Sequence, residues 1–230
     1  MQRVLYELLG AEGLRFSPYC WRTRLALAHK GLAFETQPCK FTEKERIAFS
    51  GQDRVPILVD GETIVSDSWG IASYLEDGYP ELPSLFGNDP GRALSRFVNR
   101  WTDTQLNPFI LRIIIEDLYE HVHPDDRAYF LTSRRQRLGQ AFDAVAAQRE
   151  TYLDKLKGAF KPMELALHEQ PFLAGDAPAY ADFIVAGTLQ WARLVSKLRL
   201  VAPDSTVDRW WRQMLERFGT VLIEGPFQES

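Results

Sequence analysis

The sequence predicts a mixed α/β domain followed by an all-helical domain, and three observations lead to this fold class. Up to about Pro83, short strand-like and helix-like runs alternate. A stretch rich in proline and glycine, "ELPSLFGNDPGR", comes next and is typical of a linker. From about Gly91 on, nearly all of the chain has helical periodicity. We therefore predict an α/β domain over residues 1–83, a linker over 84–91 and a helical bundle over 92–230.

The first half of the α/β domain contains two strands and a helix. The run "RVLYELL" is typical of a short strand and ends at Gly10. In "YCWRTRLALAHKG", Trp21, Leu25 and Ala28 share one helical face, and Gly31 provides the C-terminal stop. The run "LAFETQPC" is predicted to be the second strand.

A hairpin and a second helix complete this domain. In "VPILVDGETIV" an apolar run precedes a predicted tight turn at Asp60 and Gly61, and another strand follows. In "SDSWGIASYLEDGYP" a helix has Ser66 or Asp67 near its N-cap and Gly78 beyond its end. A helical crossover joins parallel strands and a hairpin joins antiparallel ones, so the four strands form a mixed sheet with helices packed on it.

The helical half is predicted from its amphipathic runs and from its proline and glycine residues. Pro108 is expected to kink or break the first helix, and further breaks are expected near Gly139 and Pro162. The segment 180–198 is apolar nearly all round, as a central buried helix is, and "DSTVDRWWRQMLERF" closes the bundle. One stripe of the first helix is formed by Leu94, Val98, Trp101 and Gln105.

Composition excludes several classes of protein. The formal net charge of −4 disfavours nucleic acid and anionic membranes as partners, and no apolar run is long enough to span a bilayer. Two cysteines provide no disulfide framework, and no Cys/His cluster has metal-ligand spacing. We therefore expect a cytoplasmic protein without a metal. The arginines of "SRRQRLG" are a local basic exception, for which a solvated helix face is the simpler interpretation.

Ser17 stands directly before Pro18, the predicted first residue of a helix. Helix N-termini favour anions, and a hydroxyl at this point can donate to a thiolate, phosphate or carboxylate. The alternative is that Ser17 is only an N-cap.

Two further features accompany Ser17. Pro56 at a strand start suggests a cis peptide bond and leaves the backbone of Val55 free to clamp a peptide-like ligand. Asp67 and Ser68, at the next helix start, combine a carboxylate, a hydroxyl and free N–H groups, which suit the ammonium and carboxylate of an amino-acid end. All three features are expected at one end of the sheet.

These motifs, "SPYCWRTRLALAHKG", "RVPILVDG" and "DSWGIASYLEDGYP", resemble those of the glutathione transferases. In the helical half, "DDRAYFLTSRRQRLG" and "PFLAGDAPAYADF" add to the resemblance. Within that superfamily they are most similar to the serine-type branch of bacterial β-etherases and fungal transferases. The resemblance implies a thioredoxin-like N-terminal domain, glutathione as co-substrate, no metal and a homodimer.

The resemblance also implies roles for individual residues. Ser17 would be the catalytic residue that hydrogen-bonds to the glutathione thiolate. Val55, before a cis Pro56, would pair with the cysteinyl backbone, and Asp67 with Ser68 would bind the γ-glutamyl end. The glycyl carboxylate would meet Arg54 and Lys40.

A second, apolar substrate is expected between the two domains. The residues that we predict to line its pocket, unless they belong to the core, are Phe16, Trp21, Trp101 and Phe109. The thiolate would attack an electrophilic, aromatic substrate. Two alternatives stay open: glutathione-dependent β-aryl ether cleavage, and a non-catalytic protein that binds glutathione or hydrophobic ligands.

Cys20 and Asp182 have more ordinary interpretations. The segment 17–20 has the spacing of a C-x-x-C redox pair with serine at the first position, so it cannot form a dithiol pair. Cys20, one turn into the helix, is predicted to be inert packing. Asp182 is predicted to cap its helix by accepting from the N–H of Ala179, without the reciprocal hydroxyl of a full capping box.

Overall fold

A computed structural model describes residues 2–222. Its N-terminal part contains a four-stranded sheet in the order β2-β1-β3-β4. The strand β1 is parallel to β2 and antiparallel to β3, which is antiparallel to β4, so the prediction of a mixed sheet with helices on it is confirmed. The elements of this part are β1 (Arg3–Leu8), α1 (Pro18–His29), β2 (Glu35–Cys39), β3 (Ile57–Asp60), β4 (Thr63–Ser66) and α2 (Ser68–Gly78).

The hairpin between β3 and β4 turns one residue later than predicted. Asp60 pairs with Thr63, so the two-residue turn is Gly61 and Glu62. Gly61 takes a φ of 60°, a left-handed conformation that favours glycine. Asp60 is buried and accepts from Arg3 and Tyr79, and these contacts keep it in the strand.

The second part of the chain is helical, as predicted. A π-helical turn, Thr102–Leu106, separates its first two helices, and a 3-10 turn, Pro124–Asp126, precedes the fourth. The helices are α3 (Asp89–Trp101), α4 (Asn107–Ile113), α5 (Ile115–Glu120), α6 (Arg127–Leu138), α7 (Phe142–Ala146), α8 (Arg149–Glu169), α9 (Tyr180–Val195) and α10 (Thr206–Leu222).

Two of the three predicted helix breaks are present. The π-helical turn ends just before Pro108, and Gly139 ends α6 in a left-handed conformation. The break at Pro162 is wrong, because α8 continues through it. Pro162 is exposed, and it removes only one of many hydrogen bonds in a helix of 21 residues.

The predicted apolar stripe of α3 faces the core only in part, at Val98 and Trp101, which are partly buried against it. The side chain of Leu94 is 56% exposed, and Gln105 is exposed in the π-helical turn. The buried face of α3 contains Ser95 and Asn99 instead. Small and polar side chains allow α3 to pack closely on its neighbours, so part of its apolar surface is left uncovered in a single chain.

The helix α9 is the centre of the molecule, and nearly all of its residues are buried, as its sequence predicts. It packs closely against α1 at Gly187, where an added Cβ would lie 2.6 Å from the carbonyl oxygen of Pro18. The segment between α2 and α3 also packs inward. Leu85 is fully buried, and its carbonyl accepts from the N–H of Tyr180 at the start of α9.

Within residues 2–222, no helix combines the length and the apolar character needed to cross a membrane.

Candidate functional site

The register of the sheet brings the three predicted features together at one end of its strands, which we call the edge of the sheet. Tyr6, near the end of β1, pairs with Ile57 at the start of β3. Ile57 in turn pairs with Ser66 at the end of β4, directly before α2. Because α1 leads from β1 to the parallel strand β2, its N-terminus also begins at this edge. The starts of α1 and α2 and the Val55–Pro56 segment therefore border the same end of the sheet.

Ser17 is the N-cap of α1, with Pro18 as the first helical residue, as predicted. Ser17 is buried, with 6% of its surface exposed, and its Oγ accepts from the N–H of Cys20 at 3.4 Å. This hydrogen bond is long for N–H···O. Ser17 thus satisfies only weakly one of the helix's free N–H groups, and both its hydroxyl and the positive end of α1 lie at the edge of the sheet.

Cys20 is shielded, which confirms the prediction of a packing role. Its side chain is 2% exposed. Burial raises the pKa of the Cys20 thiol to about 12, and the negative charge of Glu7 acts in the same direction, whereas a hydrogen bond with Ser17 opposes it. Cys20 is therefore a neutral thiol at neutral pH and a poor nucleophile. Cys39 is also buried, and burial raises its pKa as well.

A buried ionic cluster below α1 was not anticipated from the sequence. Glu7 in β1 is fully buried and accepts from both Nε and Nη2 of Arg24, at 2.8 and 2.7 Å. It also accepts from Nε of Arg15 at 3.1 Å. These bonds tie α1 and the loop before it to β1. A signal was present, since alternation along β1 places Glu7 on the same face as the buried Leu5.

The Val55–Pro56 bond is cis, as predicted. The carbonyl of Pro56 accepts from the N–H of Asp67 at 3.2 Å, which joins this segment to the start of α2. Asp67 is the N-cap of α2, and its Oδ1 accepts from the N–H groups of Trp69 and Gly70, at 2.7 and 3.3 Å. Its φ of 69° is strained for a residue with a side chain. Such strain was not visible in the sequence.

Tyr180 connects the helical part to this edge. Its hydroxyl donates to the carbonyl of Ser68 at 2.7 Å. Burial raises the pKa of Tyr180. Its ring centre is 5.8 Å from that of Trp69, in the first turn of α2. Ser68 itself is 3% exposed.

An ionic contact between the two domains was also missed. Arg22 of α1 is fully buried and donates from Nη2 to Asp103 in the π-helical turn at 2.9 Å. Asn99 and Asn107 donate to the same carboxylate, at 2.5 and 3.2 Å. The segment "WRTR" contains Arg22, but nothing in the sequence shows a partner 81 residues away.

Two family models match most of the chain. The model described as the glutathione S-transferase N-terminal domain matches residues 13–83, and the one described as the C-terminal domain matches residues 93–220. The chain belongs to the glutathione S-transferase family. A rice protein (Oryza sativa subsp. japonica) named "Probable glutathione S-transferase GSTU6" is 27% identical over 205 residues, which are 84% of this chain and 78% of that protein.

Solved transferases share the fold. Glutathione transferase GSTFuA3 of Phanerochaete chrysosporium superposes with a TM-score of 0.82 at 21% identity, covering 100% of this chain and 99% of that one. The glutathione S-transferase CsGST63524 of Ceriporiopsis subvermispora, crystallised in complex with glutathione, has a TM-score of 0.78 at 20% identity and covers 96% and 98%. Transferases of this family use glutathione as co-substrate.

In this transferase chain, the two basic candidates for the glycyl carboxylate differ in their surroundings. Lys40 follows β2, and its Nζ is 2.5 Å from Oδ2 of Asp125. The side chain of Arg54 is 86% exposed, and its Nε is 3.6 Å from Asp53. Arg54 is therefore freer to meet a ligand than Lys40, which must exchange an ion pair to do so.

The segment after β2 is held by the helical domain. Asp126 is fully buried and accepts from the N–H groups of Phe41 and Thr42, at 2.8 and 3.0 Å. It also accepts from the Thr42 hydroxyl at 2.7 Å. This clamp was not predicted, because its two sides are more than eighty residues apart in the sequence.

The four aromatic candidates for the second-substrate pocket separate into two pairs. Phe16 and Trp21 are 2% and 1% exposed and belong to the hydrophobic core, so the expectation that they line an open cleft is corrected. Trp21 also donates from Nε1 to the carbonyl of Arg15. Trp101 and Phe109 are half-buried in the helical domain and stay candidates.

Asp182 caps α9 as predicted, with more partners than the sequence suggested. Its carboxylate accepts from the N–H of Ala179 at 3.2 Å, from the N–H groups of Leu173 and Ala174, and from Nε1 of Trp210. Burial raises the pKa of Asp182, and these bonds to the carboxylate oppose that effect. Among residues 2–222, no group of three or more His, Cys, Asp or Glu side chains could hold a metal ion.

Proposed function

We propose that this protein is a glutathione transferase in which the Ser17 hydroxyl stabilises the glutathione thiolate. The observation that supports this proposal is the position of Ser17, a poorly satisfied cap at the positive end of α1 and at the same sheet edge as Val55 and Asp67. A free thiol has a pKa of about 8.5, so little thiolate is present at neutral pH. A donated hydrogen bond and a helix N-terminus both favour the anion and lower that pKa.

The tripeptide would be bound by the remaining residues of this edge. The backbone of Val55 would pair with the cysteinyl portion, next to the cis Pro56. Asp67 and Ser68 would take the γ-glutamyl end at the start of α2. For the glycyl carboxylate we propose Arg54, with Lys40 as the alternative that must first leave Asp125.

The activated thiolate would attack an electrophilic carbon of an apolar, aromatic substrate. Aryl halides and β-aryl ethers are both consistent with this chemistry, since each offers a carbon with a leaving group. In both reactions the new bond is C–S, and a halide or an aryloxide departs. Trp101 and Phe109, in the helical domain, are the aromatic side chains that we propose for this second site.

Glutathione binding and turnover test this proposal. Calorimetric titration with glutathione at millimolar concentration is expected to give saturable binding, and a chlorodinitrobenzene is expected to be conjugated. Absence of binding would contradict the whole proposal. Binding without conjugation or ether cleavage would instead favour the alternative, a non-catalytic protein that binds glutathione or hydrophobic ligands.

We also propose that the protein is a homodimer and that α3 contributes to the interface. Leu94 and Phe97 are 56% and 69% exposed and lie one turn apart on the outer face of α3. Ile64, on the edge strand β4, is 45% exposed. Exposed large apolar side chains that share one helix face are typical of a protein interface. A second copy of the chain would bury them.

A further inference from the structure

Arg134, on α6, is a largely buried arginine without an acidic partner in the described part of the chain. Its guanidinium carbon is 4.5 Å from the centre of the Phe130 ring and 5.5 Å from that of Phe41. Its Nη1 donates to the hydroxyl of Ser133 at 3.2 Å, whereas its Nε is buried and makes no hydrogen bond within residues 2–222. Burial lowers the pKa of Arg134 to about 10, so the guanidinium is still charged at neutral pH.

The side chains that contact Arg134 are Phe41, Phe130 and Ser133, and the charged side chains that act most strongly on its pKa are arginines. Besides burial, the charges of Arg137 and Arg54 also lower its pKa. Lys44 lies 5.6 Å from the ring of Tyr129, which is itself 6.1 Å from the Phe41 ring. We call Lys44, Arg54, Arg134 and Arg137 the basic rim. Asp53 lies 3.6 Å from Arg54, whereas Arg134 has no acidic partner within residues 2–222, and a largely buried cation in this position favours an anionic ligand.

The basic rim lies next to the proposed glutathione site. The ring of Phe41 is 6.3 Å from that of Phe16, which directly precedes Ser17. A chain of ring contacts thus runs from the buried Phe16, at the start of α1, through Phe41 to the guanidinium. Phe41 is partly exposed and Tyr129 is exposed, so these two rings suit an aromatic substrate, and the guanidinium suits a negative charge.

We propose that Arg134 binds a carboxylate of the second substrate, so that the electrophile is an acidic aromatic compound. This inference rests on the proposed transferase function and names the substrate class of the same site. The Nε of Arg134 is buried and its Nη1 donates to Ser133, whereas its Nη2 has no hydrogen-bond partner within residues 2–222 and can donate to a carboxylate in a charge-assisted hydrogen bond. The exposed Arg135, on the same helix, lies on a different face and takes no part.

A matched pair of electrophiles tests this assignment. A chlorodinitrobenzoate and its methyl ester differ in the negative charge, and the kcat/KM of each is measured with saturating glutathione. The wild-type enzyme is expected to prefer the benzoate. Arg134→Gln is expected to lower the benzoate-to-ester ratio of kcat/KM by about tenfold or more, the usual effect of losing a hydrogen bond to a charged group. Arg135→Gln removes the same charge from the same helix and is expected to leave the ratio unchanged.

Several outcomes would overturn the assignment. An equal loss for benzoate and ester would show that Arg134 has only a structural role. A raised KM for glutathione with an unchanged ratio would show that Arg134 binds the glycyl carboxylate instead. An unchanged ratio without other effects would also contradict it.

Failure of the proposed function is distinguishable from failure of this inference. If the wild type turns over neither compound, the transferase proposal fails, and binding of the benzoate is then measured by calorimetry. Weaker binding to Arg134→Gln than to Arg135→Gln would still support the carboxylate site. Equal binding to the two variants would overturn it.

Discussion

Ser17 and Cys20 lie one helical turn apart, yet their surroundings suit them to opposite roles. Ser17 is a cap at the edge of the sheet, and its hydrogen bond to the N–H of Cys20 is long. Cys20 faces the interior, where burial and the charge of Glu7 raise its pKa to about 12. The thiolate in the proposed reaction is therefore that of glutathione, and no cysteine of the chain is needed.

The first prediction concerns the two cysteines. In the native protein we expect Cys20 and Cys39 to react slowly with a thiol-labelling reagent at neutral pH, because both are buried and their pKa values are raised. Unfolding in urea should expose two thiols to the reagent. Cys20→Ala is expected to change kcat/KM by no more than about twofold. Rapid labelling of native Cys20, with loss of activity, would contradict this description.

The residue roles that the sequence predicted correctly depend on contacts between residues close together in the chain. Ser17 and Asp67 are recognisable as caps, and Pro56 as a cis proline, because helix and strand starts have characteristic sequences. Arg22 and Asp126 could not be found this way. Each owes its role to a partner more than eighty residues away, and only the fold brings the two together.

At the scale of elements, the contact between α1 and α9 holds the start of α1 in place. An added Cβ at Gly187 would meet the Pro18 carbonyl at 2.6 Å and the backbone nitrogen of Arg22 at 3.1 Å. Backbone atoms cannot move aside without moving the helix. Gly187 is therefore required by close packing, and the position of Ser17 depends on it.

We predict that Gly187→Ala lowers the free energy of unfolding by about 1–3 kcal/mol, the usual cost of overpacking a core. Gly158→Ala on α8 is the matched control, since an added Cβ there meets no atom within 4 Å. The control is expected to raise stability by about 0.5–1 kcal/mol through helix propensity. Urea denaturation measures both. Equal effects of the two substitutions would contradict the proposed close contact.

Glu76, on α2, anchors the segment between the domains. It accepts from the N–H of Leu85 at 2.8 Å and from Ser84, and Nζ of the buried Lys30 is 2.9 Å from its carboxylate. Burial acts to raise the pKa of Glu76, but these hydrogen bonds outweigh it, and the net result is a lowered pKa.

The pH dependence of stability follows from that lowered pKa. Because the folded-state pKa lies below the unfolded value of about 4.3, the stabilisation by Glu76 is present above that pH and is lost as the pH falls through the folded-state pKa. Glu76→Gln is expected to lower the unfolding free energy by about 2 kcal/mol at neutral pH, and by less in acid. The exposed Glu81→Gln is the control. A loss that does not depend on pH would argue against the ionic role.

Sequence periodicity predicted most helices and strands, and it failed where tertiary packing determines the length or the burial of a helix. All four strands, α1, α2 and α9 follow from local patterns. The continuous helix α8 does not, because the exposed position of Pro162 reduces the cost of the lost hydrogen bond. Nor does the exposure of Leu94 in the stripe of α3, since an apolar stripe predicts a buried face without showing what buries it.

At the scale of the whole molecule, the uncovered face of α3 leads to a prediction about assembly. Phe97→Asp is expected to convert the proposed dimer to a monomer, because the charge would be buried in the interface. Leu165→Asp is the control, since Leu165 is 54% exposed and lies on α8, outside the proposed interface. Sedimentation velocity distinguishes the two states. A wild-type monomer, or a Phe97→Asp dimer, would contradict the proposed interface.

The central proposal, that Ser17 stabilises the glutathione thiolate, is tested most directly by the pKa of the bound thiol. The ultraviolet absorbance of the thiolate is followed against pH in the glutathione complexes of the wild type and of Ser17→Ala, with calorimetry to confirm equal saturation. In the wild-type complex we expect the thiol to titrate at least about one pH unit below the free value of about 8.5. In the Ser17→Ala complex its pKa should rise back toward the free value, with a parallel loss of conjugation and nearly unchanged glutathione affinity. Equal pKa values in the two complexes would contradict the proposal.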